Sequence, residues 1–318
     1  MKSLRIIFMG TPEFAVASLG SLLINRYNVV AVVTVPDKPA GRGRNITKSA
    51  VKLFADSHDL YVLQPDNLKN PAFIENLKRL DANIIVVVAF RMLPEEVWKI
   101  PSMGTINLHA SLLPQYRGSA PVNHVLINGE TRTGVTTFLI DEKIDTGNIL
   151  LREEVAVLAF ENAGDLYDKL MKHGAHLVIK TLEALAENRI KPKPQSDFMI
   201  PGEQLRLAPK IFPENCIIDW NNETETIHNL IRGLSPHPCA RSFFINETRS
   251  FSYKVYESLP EHINHSFKPG RILSDGKTFL NVACKGGVIK ILNLQLEGKK
   301  RLNIKEFLRG FRIEEFVF

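Results

Sequence analysis

Long apolar runs are missing from this chain. The longest uninterrupted one is Ile84 to Phe90, in 318 residues. A bilayer span needs about 20 such residues, so no membrane-crossing segment is expected. The opening Met1-Lys2-Ser3-Leu4-Arg5 leads into a short apolar stretch closed by Gly10-Thr11-Pro12. It lacks the longer apolar core and small-residue cleavage site of a signal peptide, so a cytoplasmic location is expected. Cysteine is scarce too. Cys216, Cys239 and Cys284 are odd in number, far apart and form no CxxC pair. That argues against a disulfide framework or a zinc site, and leaves buried thiols with no metal as the expectation. The turn Gly10-Thr11-Pro12-Glu13 also lacks the GxGxxG fingerprint, which argues against a nucleotide-dependent oxidoreductase.

What is present is ordinary in bulk: 44% hydrophobic and 23% charged residues, in a length that suggests two domains. The net charge of +6 is unevenly placed. Residues 1–188 hold 20 Lys+Arg against 20 Asp+Glu, residues 189–206 hold 4 against 2, and residues 207–318 hold 16 against 12. A basic C-terminal part beside a neutral N-terminal part suggests a polyanionic partner, although a merely basic domain gives the same figures. Nothing demands an assembly, and a monomer is the default expectation.

Strand and helix patterns alternate through the first half. Leu4–Met9, Val29–Val35, Ile84–Ala89, Thr105–His109, Gly134–Ile140 and Ile149–Val157 read as strands. Phe14–Ile24, a segment capped by Thr47 through Ala55, Pro71–Leu80, Pro94–Trp98, Pro121–Ile127 and Asp165–Glu187 read as helices. Pro36 to Asn45 reads as a mobile loop. The pattern predicts an α/β, Rossmann-like, mostly parallel sheet over 1–188, with ligands beyond the carboxyl ends of its strands. Residues 189–206 read as a proline-spaced linker. Over 207–318 the strands are short: Arg241–Ile245, Phe251–Tyr256, Gly270–Leu273, Thr278–Cys284 and Val288–Leu294, with one solid helix at Thr224–Ile231. A small OB-like β-barrel, a common nucleic-acid platform, fits that texture.

The chemistry centres on Asn107-Leu108-His109. Residues two apart on a strand share a side, so Asn107 and His109 project together. An amide donor can stabilise a developing oxyanion, and an imidazole can shuttle protons near neutrality. Asp145, after the next strand, is the carboxylate that could orient and charge the imidazole. An isolated N-x-H also fits polar groups that merely bond backbone at a strand end.

Ser111-Leu112-Leu113-Pro114-Gln115-Tyr116-Arg117-Gly118-Ser119-Ala120-Pro121 resembles the signature of the formyltransferases that use 10-formyltetrahydrofolate. Phe8 to Ala15, Pro36 to Gly43, Ile227 to Pro236, Leu294 to Arg301 and Phe307 to Gly310 resemble, in collinear order, the branch that acts on methionyl-tRNA. The resemblance implies a catalytic set of Asn107, His109 and Asp145. It implies 10-formyltetrahydrofolate as donor and the amine of initiator methionyl-tRNA as acceptor, in support of translation initiation. It places the pteridine near Phe90, Arg91, Met92 and Leu93, with Ser111, Leu112, Leu113 and Pro114 beside it. There the chain departs from the usual pattern: Phe90-Arg91-Met92 stands where relatives commonly carry Tyr-Gly and one more residue before Leu-Pro. It also assigns tRNA contacts to Lys38, Arg42, Arg44 and neighbouring Lys48, and to Lys299, Lys300 and Arg301. A formyltransferase acting on a small amine, such as a nucleotide precursor or an amino sugar, shares the Asn/His/Asp chemistry but needs neither the basic loop nor this C-terminal domain. A non-catalytic RNA-binding protein would not need the Asn/His/Asp set.

Overall fold

The computed structural model describes residues 4–40 and 45–316. In chain order the elements are β1 (Arg5–Gly10), α1 (Glu13–Ile24), β2 (Asn28–Val33), β3 (Lys38–Ala40), β4 (Asn45–Thr47), α2 (Ala50–Asp56), β5 (Val62–Leu63), α3 (Pro71–Arg79), β6 (Ile84–Val88), α4 (Glu95–Trp98) and β7 (Thr105–His109). Next come β8 (Arg117–Gly118), α5 (Pro121–Ile127), β9 (Arg132–Leu139), β10 (Ile149–Ala156), α6 (Ala163–Ala186) and β11 (Leu207–Ala208). The chain continues with α7 (Thr224–Leu234), β12 (Ala240–Ile245), β13 (Ser250–Glu261), β14 (Ile272–Ser274), β15 (Leu280–Cys284), β16 (Gly287–Leu296), β17 (Leu302–Asn303) and α8 (Ile304–Gly310).

These elements group into two compact units. The first comprises residues up to Gly118, Arg132–Ala156 and Tyr167–Leu207; the second comprises Ser119–Thr131, Val157–Leu166 and Ala208–Phe318. The grouping is discontinuous, whereas the sequence texture suggested domains at 1–188 and 207–318 joined by a linker at 189–206. Polar contacts explain the second unit's extra segments. The Asn123 amide donates to Gly233 O at 2.7 Å, and Arg232 donates to Leu158 O at 3.3 Å.

The first unit is built on a seven-stranded sheet of order β10-β9-β7-β6-β1-β2-β5. The five strands from β7 to β5 are parallel. β9 and β10 are antiparallel additions at one edge. β6 reads Ile-Ile-Val-Val-Val and is buried at every position, as a central strand covered on both faces must be. Ile7, Met9, Ile85 and Val87 pack with Phe73 and Leu77 of α3 and Val97 of α4. On the opposite face α6 approaches β7 closely at Gly174, where a Cβ would lie 2.7 Å from Leu108 Cδ2.

Two local expectations are corrected here. Ser49, not Thr47, caps α2, its side chain accepting from Lys52 N. Thr47 instead ends β4, which pairs antiparallel with β3, so part of the expected loop is a two-stranded ladder. Thr34 and Ser49 join their hydroxyls at 2.8 Å across its base.

The second unit carries an antiparallel sheet of order β12-β13-β16-β15-β14, with β17 on β16, curled into a half-barrel consistent with an OB-like fold. β13 runs for 12 residues, twice the span its apolar pattern suggested, and its pairing with β16 shifts register near Val255–Ser258. A second helix, α8, was not foreseen; Asn303 caps it and Phe307 and Leu308 bury its inner face. All three cysteines are buried in this unit. Loss of solvent pushes each thiol up, away from reactivity.

His228 of α7 bonds Ser258 of β13, Nδ1 to Oγ 3.1 Å. Burial, with Arg232 beside it and against the pull of Glu225, holds its imidazole below the ordinary range. The unfolded chain therefore binds a proton that the folded one refuses. Stability should fall as pH drops below about 6.5 and level off below the depressed value. Thermal melts from pH 7.5 to 5 should show wild type losing ground to His228→Asn. Parallel curves would contradict this.

Candidate active site

Asn107 and His109 point to the face of the sheet opposite α6, at the carboxyl end of β7. Asn107 is half-buried and His109 is buried. In register, Asn107 faces Phe138 and His109 faces Thr136 on β9.

Asp145 reaches this pair by a route that strand order alone did not suggest. β9 is antiparallel to β7, so its exit at Leu139 lies beside Ile106, three residues back from His109. At roughly 3.3 Å per residue that is about 10 Å from the imidazole. Loop 140–148 folds back over the face of the sheet to close the gap. Asp145 sits in it at φ +54°, a left-handed conformation that aspartate tolerates better than most residues. Its Oδ2 lies 3.7 Å from His109 Nδ1.

Gly147 permits the fold-back. A Cβ there would lie 1.7 Å from Leu139 O. Gln195 then ties the loop down: its amide donates to Asp145 O and Gly147 O, both at 2.9 Å. Its own oxygen accepts from the Arg117 guanidinium at 2.7 Å. Gln195 is 5% exposed. The sequence reading took it for part of a linker. The one available signal was an amide side chain among prolines and lysines, too common to single out.

The segment 111–118 holds the site with its backbone. Tyr116 O accepts from His109 Nε2 at 2.8 Å, so that nitrogen carries a proton. Gly118 N donates to Asp145 Oδ2 at 2.9 Å. Nε2 is thus held by a backbone carbonyl, while Nδ1 faces the Asp145 carboxylate at 3.7 Å. The segment is held in turn by Ser111 Oγ donating to Gln115 O (2.6 Å) and Thr136 Oγ1 donating to Ser111 O (2.6 Å).

The side chains expected along the folate fall into two groups. Ser111, Leu113 and Pro114 are buried and build the loop itself, while Leu112 is half-buried and packs over Gly134. Leu93 belongs to the core cluster beneath the sheet, with Phe90 packed against it. Met92 is 76% exposed. Arg91 lies with its guanidinium over the Phe90 ring, donating to Pro65 O and to Asp66 O. Because Val87 is in register with Asn107, the 89–93 segment leaves the sheet next to the Asn107/His109 strand end.

Of the basic residues, Lys38 opens β3 and is exposed, as is Lys48, which pairs with Asp56 at 3.0 Å. Arg42 and Arg44 lie outside the described residues. Lys299, Lys300 and Arg301 are exposed on and after the turn following β16, with the Arg301 guanidinium 4.5 Å above the Tyr256 ring. Among the described residues no cluster of His, Cys, Asp and Glu could hold a metal ion, and no helix is long and apolar enough to cross a membrane.

Residues 4–182 match the formyl transferase family and residues 210–312 match its C-terminal domain. The chain is 49% identical to a methionyl-tRNA formyltransferase of Bacteroides fragilis, over 99% of this chain and 97% of that protein. One from Flavobacterium johnsoniae is also 49% identical, over 99% and 98%. The chain belongs to the methionyl-tRNA formyltransferase family. Its fold also matches solved structures of much lower sequence identity. An N-formyltransferase of Helicobacter canadensis, solved with folinic acid and dTDP-3-aminofucose, superimposes with TM-score 0.65 at 22% identity, covering 91% of this chain and 98% of that one. HypX of Aquifex aeolicus, solved with tetrahydrofolic acid, gives 0.64 at 19% identity, covering 97% of this chain and 48% of that one.

Within this family member, Gln195→Ala removes four hydrogen bonds around the Asp145 loop. The expected loss is about 1–3 kcal/mol of stability, together with a fall in turnover as Asp145 loosens. Urea unfolding and a formylation assay would read both. Wild-type values in both would show that the loop needs no such anchor.

Proposed function

We propose that the chain transfers the formyl group of 10-formyltetrahydrofolate to the α-amino group of initiator methionyl-tRNA, in the cytoplasm, using Asn107, His109 and Asp145. The observation that carries the assignment is the fold-back of loop 140–148, which gathers a carboxylate from the wrong end of an antiparallel strand to the Asn107/His109 face.

Asn107 donates to the formyl oxygen as negative charge develops on it when the amine attacks, and the His109 ring lies on the same side of the strand. The His109 ring is positioned by the Tyr116 carbonyl and the Asp145 carboxylate. The attacking amine must shed a proton, and free α-amino groups titrate near 7.7–8.0, so little driving force is needed. Asp145 is the nearest carboxylate on hand to draw that proton, directly or through water. The folate, as substrate, lies along the 89–93 segment. The apolar, half-buried Phe90 beside the reacting strand end fits one face of a flat ring.

We assign the formyl-transfer chemistry to residues 1–188 and tRNA binding to residues 207–318, with 189–206 as a linker. Lys38, Arg42 and Arg44 meet the acceptor end, and Lys299, Lys300 and Arg301 follow the backbone. Arg42→Ala should raise KM for tRNA several-fold while leaving folate affinity unchanged. Equal losses in both would show a folding defect instead. The overall reading is tested by offering 10-formyltetrahydrofolate with methionyl-tRNA and, in parallel, with glycinamide ribonucleotide and amino sugars. Formylmethionyl-tRNA should be the dominant product; preference for a small amine would overturn the reading.

A further inference from the structure

The second unit carries a cleft of about 590 Å³ between the start of β13, the end of β16 and the chain after α8. Its floor is aromatic. Phe311 stacks with Phe316 at 5.5 Å between centroids, and Phe251 meets Phe311 edge-on at 5.8 Å. Phe316 is buried, but Phe251 and Phe311 each keep part of the ring accessible. Its rim is cationic: Arg249, Lys299 and Arg312 stand around it, with Glu297 the one carboxylate among the described residues lining it. Lys299 and Arg312 are exposed at the mouth. The Lys299 backbone is fixed from both sides, its N–H donating to Leu296 O at 3.0 Å and its carbonyl accepting from Gln295 Nε2 at 2.6 Å. Ser250 and Ser252 add hydroxyls on one wall.

Each half of this arrangement alone suits a different ligand. A simple anion would use the cations and leave the rings idle. An apolar ligand would use the rings and gain nothing from the cations. A nucleoside phosphate uses both. Its base stacks on the accessible part of the Phe251 ring, its phosphate sits between Lys299 and Arg312, and its ribose meets the serines. The volume lies within the roughly 300–1,000 Å³ of small-ligand sites, enough for one nucleotide and too small for a duplex. We propose that this cleft receives one unpaired nucleotide of the tRNA. The inference rests on the tRNA reading above and adds base stacking to what would otherwise be a set of phosphate contacts.

The test measures binding of tRNA to the full chain across a salt series. Phe251→Leu should weaken binding about tenfold without altering the salt slope, because a stacking contact releases no counterion. Phe251→Tyr, which keeps the ring, should restore affinity and so separates stacking from a folding defect. The Lys299→Ala/Arg312→Ala pair should lower the slope by about two contacts. Adenosine monophosphate should compete weakly with tRNA in wild type and lose its grip in Phe251→Leu. Wild-type tRNA affinity in Phe251→Leu overturns the proposal, as does adenosine monophosphate that stays bound when tRNA is saturating. If the wild-type chain formylates methionyl-tRNA while Phe251→Leu binds it normally, only the cleft assignment fails. If the wild-type chain does not formylate methionyl-tRNA, the functional reading fails first.

Discussion

Asp145→Ala and His109→Ala should each lower single-turnover formyl transfer by about 10²–10³-fold while leaving tRNA affinity near wild type. The expectation follows from where the groups sit. His109 is 6% exposed and its ring nitrogens are committed to Tyr116 O and the Asp145 carboxylate. Without Asp145 the ring loses one of its two orienting partners, and Gly118 N loses an acceptor as well. Neither change reaches Lys299 or Arg301, so tRNA should still bind. Rapid-quench transfer and filter binding on the same preparations separate the two effects. A variant that transfers formyl at the wild-type rate would remove its residue from the chemistry. A variant that loses tRNA affinity in step with rate would point to a misfolded loop.

Gly147→Ala should be nearly as damaging, by a different route. Its Cβ would lie 1.7 Å from the Leu139 carbonyl oxygen, a backbone atom that cannot swing aside. The loop must move, and Asp145 moves with it. Overpacking of this kind costs about 1–3 kcal/mol and sometimes more, and a shift of an ångström at a reacting group can cost about 10²-fold in rate. Gly20→Ala is the matched control. The added Cβ meets only the tip of the Phe54 ring at 3.5 Å, inside helix α1. It should stabilise the chain by roughly 0.5–1 kcal/mol. Calorimetry and turnover should therefore diverge: both fall for Gly147→Ala, while stability rises and turnover holds for Gly20→Ala. Equal behaviour of the two variants would contradict the close approach.

The parts of this protein legible in its sequence are those where one segment determines its own conformation. Ile84–Val88 is apolar at every position, so it had to be a central strand. Asn107 and His109 share a side because the strand period is two. The expected Rossmann-like sheet and OB-like second domain both appear, and family membership follows from motifs in fixed order. Asp145 was chosen because it follows a strand, yet that strand runs antiparallel, and it is the fold-back of its loop that brings the carboxylate to within 3.7 Å of His109 Nδ1. Strand direction depends on partners far along the chain, so local pattern could not supply it. Gln195 was invisible for the same reason. Its importance lies in two carbonyls about 50 residues away, and nothing near it in sequence advertises them. Ser49 and Thr47 are both good caps, and the pairing of β3 with β4 decided between them. The basic segment was legible as composition only, and Arg42 and Arg44 fall outside the described residues.

Asn107, His109 and Asp145 are held to act as one device on one carbonyl. The most direct test is a double-variant cycle on single-turnover formylation of methionyl-tRNA. If His109 and Asp145 act as a unit, the His109→Ala/Asp145→Ala enzyme should be little slower than the worse of the two single variants. A double variant slowed by the product of the two single effects would show that they work independently, and the shared site would be wrong.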